Sequence, residues 1–168
     1  MNARRESEHT LANNLTTVER KSDRELVVTR TFNGPARIVF EAWTKPELFR
    51  QWWVPKSMGM SLLSCEMDVR VGGKYRLEFA HGDSTAAFFG TYKEVMLHSR
   101  LVWTNEESDD GPVTTVTFAE TGGKTLLVMH ELYSSKEALD AAGTGAADAM
   151  GETFGQLDEL LGALSPRS

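Results

Sequence analysis

Residues 135–164 read SKEALDAAGTGAADAMGETFGQLDELLGAL. Leu139, Ala142, Ala146, Met150, Phe154, Leu157, Leu161 and Leu164 recur at steps of three and four, so one face of a helix collects them. The spacing predicts one long amphipathic helix, with Ser134 or Ser135 as its N-cap. Gly143, Gly145, Gly151 and Gly155 interrupt it, each costing roughly 1 kcal/mol relative to alanine. Two readings of these glycines stand open. They let the helix approach or bend around a partner surface, or they leave a hollow beside it that holds a ligand. Gly143 and Gly145 alternatively mark a break near the helix start.

What this helix covers is written upstream. LVVTRTF (26–32) is a strand by its β-branched content, and Asn33-Gly34-Pro35 stops it. ARIVFEAWT (36–44) has helical spacing, and Pro46 begins a second short helix, ELFRQWW, that Pro55 ends. Six strands follow, over 60–69, 74–80, 86–96, 99–105, 113–120 and 124–133, with a short hairpin loop at Thr121-Gly122-Gly123. A sheet of about seven antiparallel strands has no second sheet to pack on, so the long helix must cover it. Residues 1–22 lack periodicity and read as a tail or arm, leaving one α+β domain over 23–168.

The chain of 168 residues carries a formal net charge of −6. Residues 135–164 hold six acids against the single base Lys136, a surface that repels phosphate backbones and argues against nucleic-acid binding. Cys65 is the only cysteine, which excludes an internal disulfide and cysteine-rich metal sites. The four histidines are dispersed, and no metal site or cofactor is expected. No apolar run approaches the length of a membrane span, and MNARRESEHTLANN lacks the apolar middle of a secretory signal, so no membrane role and a cytoplasmic location are expected. No catalytic motif is present, and no catalytic residue is assigned.

The strand alternation places Tyr75, Leu77 and Phe79 inward, then Phe88, Gly90 and Tyr92, Leu101 and Trp103, and Val116 and Phe118. The last strand has two apolar registers, Leu127/Met129/Glu131 and Leu126/Val128/His130, each with one ionisable residue. A sheet with one wet face does not ordinarily read this way. The N-terminal arm or a second copy in a homodimer would cover the outer side. Trp52 and Trp53 adjoin, and neighbouring helical positions lie about 100° apart. Trp52 is therefore expected to anchor the short helices, and Trp53 to face a cavity mouth or the following loop.

The segments TRTFNGPARIVFEAWTKPELFRQWW (29–53), CEMDVRVGGKYR (65–76), GTYKEV (90–95) and SRLVWT (99–104), with the closing helix, resemble the family named for the activator of heat-shock protein 90 ATPase, in its single-domain bacterial branch. That family belongs to the START-like, birch-pollen-allergen-like (SRPBCC) superfamily. The resemblance implies a helix-grip fold, a curved antiparallel sheet gripping the C-terminal helix with a cavity between. It also implies that Leu127, Met129 and Glu131 face inward. The expected function is binding of a small hydrophobic or amphipathic ligand through Trp53, Tyr75, Phe79, Phe88, Tyr92, Trp103, Met129, Glu131, Met150 and Phe154. Two other readings stand beside it. One is a cyclase- or hydrolase-type enzyme with Glu131, Tyr92, Arg76 or His81 as acid or base. The other is a chaperone-linked interaction module.

Overall fold

The computed structural model describes residues 16–109, 111–143 and 149–164. Eight strands form one antiparallel sheet in the order β1-β2-β8-β7-β6-β5-β4-β3. They are β1 (Thr16–Ser22), β2 (Glu25–Phe32), β3 (Ser61–Met67), β4 (Lys74–His81), β5 (Ser84–Met96), β6 (Arg100–Thr104), β7 (Val113–Thr121) and β8 (Lys124–Leu132). Helices α1 (Ala36–Thr44) and α2 (Pro46–Phe49) follow β2, and α3 (Lys136–Ala142) and α4 (Met150–Leu164) follow β8. The fold is the α+β helix grip.

Three expectations need correction. The sheet has eight strands rather than about seven, because residues 16–22 pair with β2 as an edge strand. The arm expected over 1–22 therefore contributes β1, and its remainder, residues 1–15, lies outside the described residues. The closing helix is not one piece. Ser135 caps α3 by accepting the Ala138 amide at 3.0 Å, and Gly143 ends it at φ +68°, in the region that favours glycine. Ala146 and Gly145 lie outside the described residues. Lastly, the short helix after Pro46 is a single turn, and Gln51–Trp53 continue it only as turns.

The inner face of the sheet is apolar with few exceptions. Leu26, Val28 and Phe32 on β2, Leu101 on β6, Val116 and Phe118 on β7 and Leu127 on β8 are buried there. Against them α4 lays Met150, Thr153, Phe154, Leu157 and Leu161, a stripe of helical period. Strand β5 pairs with β4 through residues 84–91 and with β6 through 92–96, with a register shift just after Tyr92. Gly90 lies at this changeover. A Cβ there would come within 1.9 Å of the Thr104 carbonyl oxygen and 2.9 Å of the Tyr75 ring, so only glycine lets the strands approach.

Arg30 is the charged exception on β2, and it fastens the sheet to the helix. Its guanidinium donates to the Thr16 hydroxyl at 2.9 Å, pairs with Asp158 on α4, and lies 5.5 Å from the centre of the Phe32 ring. The Arg30 side chain is 5% exposed and that of Asp158 33%. Removing the acid strands a buried cation, whereas removing both charges need not. Asp158→Ala is expected to cost about 2 kcal/mol, and Arg30→Met/Asp158→Ala less than that single change. Urea unfolding of the three chains checks the order.

Candidate functional site

A pocket of about 220 Å³ lies between the sheet, the α1–α2 corner and the start of α4. For scale, a cavity of about 150 Å³ in another protein interior accepts benzene. Strands β4, β5 and β6 supply Tyr75, Leu77, Phe88, Tyr92 and Trp103. Val28, Met129 and Glu131 come from β2 and β8, and Met67 from the end of β3. The helical side consists of Trp43, Phe49, Trp53 and Met150, while Asn105 and Glu107, just beyond β6, complete the rim.

The helical wall is built around Trp43. Its ring lies 4.8 Å from that of Trp52, 5.8 Å from Trp53, 6.0 Å from Trp103 and 6.2 Å from Phe154. Trp52 is fully buried and donates its indole N–H to the Ala42 carbonyl at 2.9 Å, tying the turn after α2 back to α1. Trp53 is half-buried, stacks on Phe49 at 4.8 Å and lines the pocket. Two α4 side chains hold the loop behind it. Gln156 donates to the carbonyls of Trp52 and Val54, both at 2.9 Å, and accepts from the Lys56 amide at 2.9 Å. Glu152 accepts from the amide and hydroxyl of Ser57. The position of Trp53 is thus set by the helix that carries Met150.

The sheet wall carries a directed chain of hydrogen bonds. The Tyr75 hydroxyl donates to the Thr104 carbonyl at 2.7 Å and lies 3.3 Å from Asn105 Oδ1. The Asn105 amide donates to the Pro112 carbonyl at 2.8 Å and to the Thr114 hydroxyl at 2.9 Å. Thr114 in turn donates to Glu131 at 3.4 Å. Burial pushes the carboxyl of Glu131 above the ordinary carboxylate range, with the Thr114 hydroxyl pulling weakly the other way. Burial likewise raises the phenols of Tyr75 and Tyr92, which keeps both neutral.

Eight of the ten residues proposed from the sequence meet at this pocket: Trp53, Tyr75, Phe88, Tyr92, Trp103, Met129, Glu131 and Met150. Phe79 and Phe154 do not line it. Phe79 backs Phe88 at 5.0 Å, and Phe154 is spent on Phe32, Trp43 and Trp52 beneath α4. The glycines of α4 do not form the hollow either. A Cβ on Gly151 or Gly155 would meet nothing within 4 Å, so these positions neither permit a close approach nor line the pocket. The space opens instead where α4 begins, beside Met150. Arg76 and His81 are not brought to it, since Arg76 pairs with Glu78 on the outer face and His81 is exposed at the end of β4. Seven lining residues were not among the ten: Val28, Trp43, Phe49, Met67, Leu77, Asn105 and Glu107. Trp43 follows the same helical spacing as the core of α1, Asn105 ends the strand read over 99–105, and Glu107 lies between that strand and the next.

The outer face of β8 is less bare than its sequence implied. His130 bonds Glu25 at 2.7 Å, and Thr29 and Thr117 flank Val128, which leaves Leu126 as an exposed apolar residue there.

The sequence profile described as activator of Hsp90 ATPase homolog 1-like protein matches residues 33–162. The chain belongs to this family. Solved structures with the same fold accompany that match. A protein from Rhodobacter sphaeroides is 24% identical with a TM-score of 0.80, over 89% of this chain and 99% of its own. A Mycobacterium smegmatis protein is 22% identical with a TM-score of 0.76, over 89% and 99%. The AHSA1-like protein of Aeromonas hydrophila is 20% identical with a TM-score of 0.67, over 84% and 98%. No curated protein sequence matches. Among the described residues of this AHSA1-like chain, no helix is long and apolar enough to cross a membrane, and no group of three or more His, Cys, Asp or Glu side chains is placed to hold a metal ion.

Glu131 gives the pocket a pH signature. The folded protein holds its proton to higher pH than the unfolded chain, whose carboxyl has the ordinary value of 4.5. Its contribution is therefore intact below pH about 4.5 and is lost as pH rises through the raised value. Glu131→Gln is expected to raise Tm by several degrees at neutral pH and to bring little gain near pH about 4. Thermal melts of both proteins across this range check it, and an equal gain at both ends contradicts it.

Proposed function

We propose that this AHSA1-like protein binds a small amphipathic molecule in the pocket between the sheet and α4. The observation that carries the reading is the composition of the wall. Aromatic and aliphatic side chains surround the half-buried carboxyl of Glu131, with Glu107 at the rim, and a chain of polar groups runs from Glu131 to Tyr75. Such a surface buries an apolar body and fixes one polar end.

An enzymatic reading has one specific support, a carboxyl held above its ordinary range in a cleft that the neutral Tyr92 phenol also lines. Arg76 and His81 take no part in it. Recovery of every bound compound unchanged after long incubation removes that reading for those compounds. The family's chaperone connection and a homodimer through the outer face rest on no contact described above.

Phe88 separates binding from stability. It lines the pocket yet remains 42% exposed, so truncation removes ligand contact at small cost to the fold. The neutral fluorescent probe N-phenyl-1-naphthylamine is expected to bind the native protein. Phe88→Ala should weaken it about tenfold, equal to about 1.4 kcal/mol, with Tm shifted by only a degree or two. Probe affinity unchanged by Phe88→Ala places the bound molecule elsewhere.

A further inference from the structure

We infer that the pocket selects a cationic amphiphile, a protonated amine carried on one aromatic ring or a short alkyl body, over neutral and anionic molecules of the same shape. This rests on the reading of the pocket as a ligand site. The charges come first. Glu107 and Glu131 line the space, and no lysine, arginine or histidine does. Several basic groups outside it are held in ion pairs. Arg76 pairs with Glu78, Arg100 with Glu94 and His130 with Glu25. The buried guanidinium of Arg30 is held by Thr16 and Asp158 under α4. A carboxylate or phosphate ligand would meet two carboxyl groups and no cationic side chain in the lining.

The hydrogen-bonding polarity agrees. The Asn105 amide donors are committed to Pro112 and Thr114, the Thr114 hydroxyl to Glu131, and the Tyr75 hydroxyl to the Thr104 carbonyl. Apart from the Tyr92 hydroxyl, which can donate or accept, the polar wall therefore ends in acceptor oxygens of Glu131. An ammonium has only donors to offer and needs such acceptors.

Aromatic faces supply the rest. Trp43, Phe49, Trp53, Tyr75, Tyr92 and Trp103 contribute to one lining, and the face of an aromatic ring carries the negative part of its quadrupole. A cation within such a lining gains from the ring faces and from a carboxylate that water screens poorly. It also offsets the burial that otherwise disfavours ionised Glu131. At about 220 Å³ the space suits one ring with a short chain and is too small for a long lipid tail.

Three matched probes test this: 4-phenylbutylamine, 4-phenylbutan-1-ol and 4-phenylbutyrate, each measured by displacement of N-phenyl-1-naphthylamine and by calorimetry. The amine is expected to bind at least tenfold more tightly than the alcohol, with the carboxylate weakest. Glu131→Gln, its fold checked by its melting curve, should bring the amine to within about threefold of the alcohol. Glu137→Gln removes an exposed charge outside the pocket and should leave the tenfold preference in place. Equal binding of amine and alcohol, or tightest binding of the carboxylate, overturns the inference while leaving the pocket reading intact. An amine preference that survives Glu107→Gln and Glu131→Gln combined in one chain also overturns it, by assigning the preference to the general negative surface. No binding of any of the three, together with no binding of the naphthylamine probe, overturns both.

Discussion

The indole of Trp43 is where the parts of this fold are held together. It comes from α1, yet its ring meets Trp52 and Trp53 after α2, Trp103 on β6, Phe118 on β7 and Phe154 on α4. Tilted and edge-on contacts of this kind add to the large area that each ring buries. A curved sheet covered by one helix has little core per strand, so the corner helices must fill the end that α4 leaves open. Trp43 does this, and Trp52 locks it by returning its N–H to the Ala42 carbonyl one residue before Trp43. The dense aromatic side of the molecule and its hollow side share the same residue.

The hollow adjoins the start of α4 at Met150. A continuous helix would carry its apolar stripe across the sheet, and the amphipathic pattern of residues 139–164 would be consumed in a single interface. Instead Gly143 ends α3 in a left-handed conformation. The second helix begins at Met150, beside the space lined by Tyr75, Tyr92, Met129 and Glu131. The bend in the sheet contributes from the other side, where Gly90 allows the Thr104 carbonyl to approach β5 and the Tyr75 hydroxyl to reach it. Glycines therefore shape the pocket by redirecting backbone, and not by leaving empty volume beneath α4.

Glu131 carries the main energetic tension. Its carboxyl, half-buried in the pocket wall on β8, has one hydroxyl as its partner among the described residues. Burying a charge with so little compensation opposes stability. Arg30 shows the contrasting solution, a buried charge paired across the core and used to bind sheet to helix. Two ionisable groups thus sit inside one small domain, one neutralised by an internal partner and the other facing a space that a bound molecule can enter.

Period alone determined much of this. The alternation of Tyr75, Leu77 and Phe79, and the three-and-four spacing of Met150, Phe154, Leu157 and Leu161, fix which side chains face inward whatever the neighbouring elements do. The motif set from Phe40 to Gly73 carried the family and with it the helix grip. Strand β1 escaped notice because an edge strand needs pairing on one side only, and Thr16–Ser22 has no apolar alternation to announce it. Of the eight pocket residues legible in the sequence, Tyr75, Phe88, Tyr92 and Trp103 follow strand alternation, Met150 the helical stripe and Trp53 the angle between neighbouring helical positions, while Met129 and Glu131 needed the family register to choose between two faces. Phe79 and Phe154 share those patterns and still miss the pocket, since a period gives a face and not a position along it. Whether an inward residue meets a neighbour or a void, and whether a glycine loosens a helix or ends it, depends on three-dimensional packing between segments distant in sequence. That packing, set by the break at Gly143 and the close approach at Gly90, is what the tertiary structure alone decided.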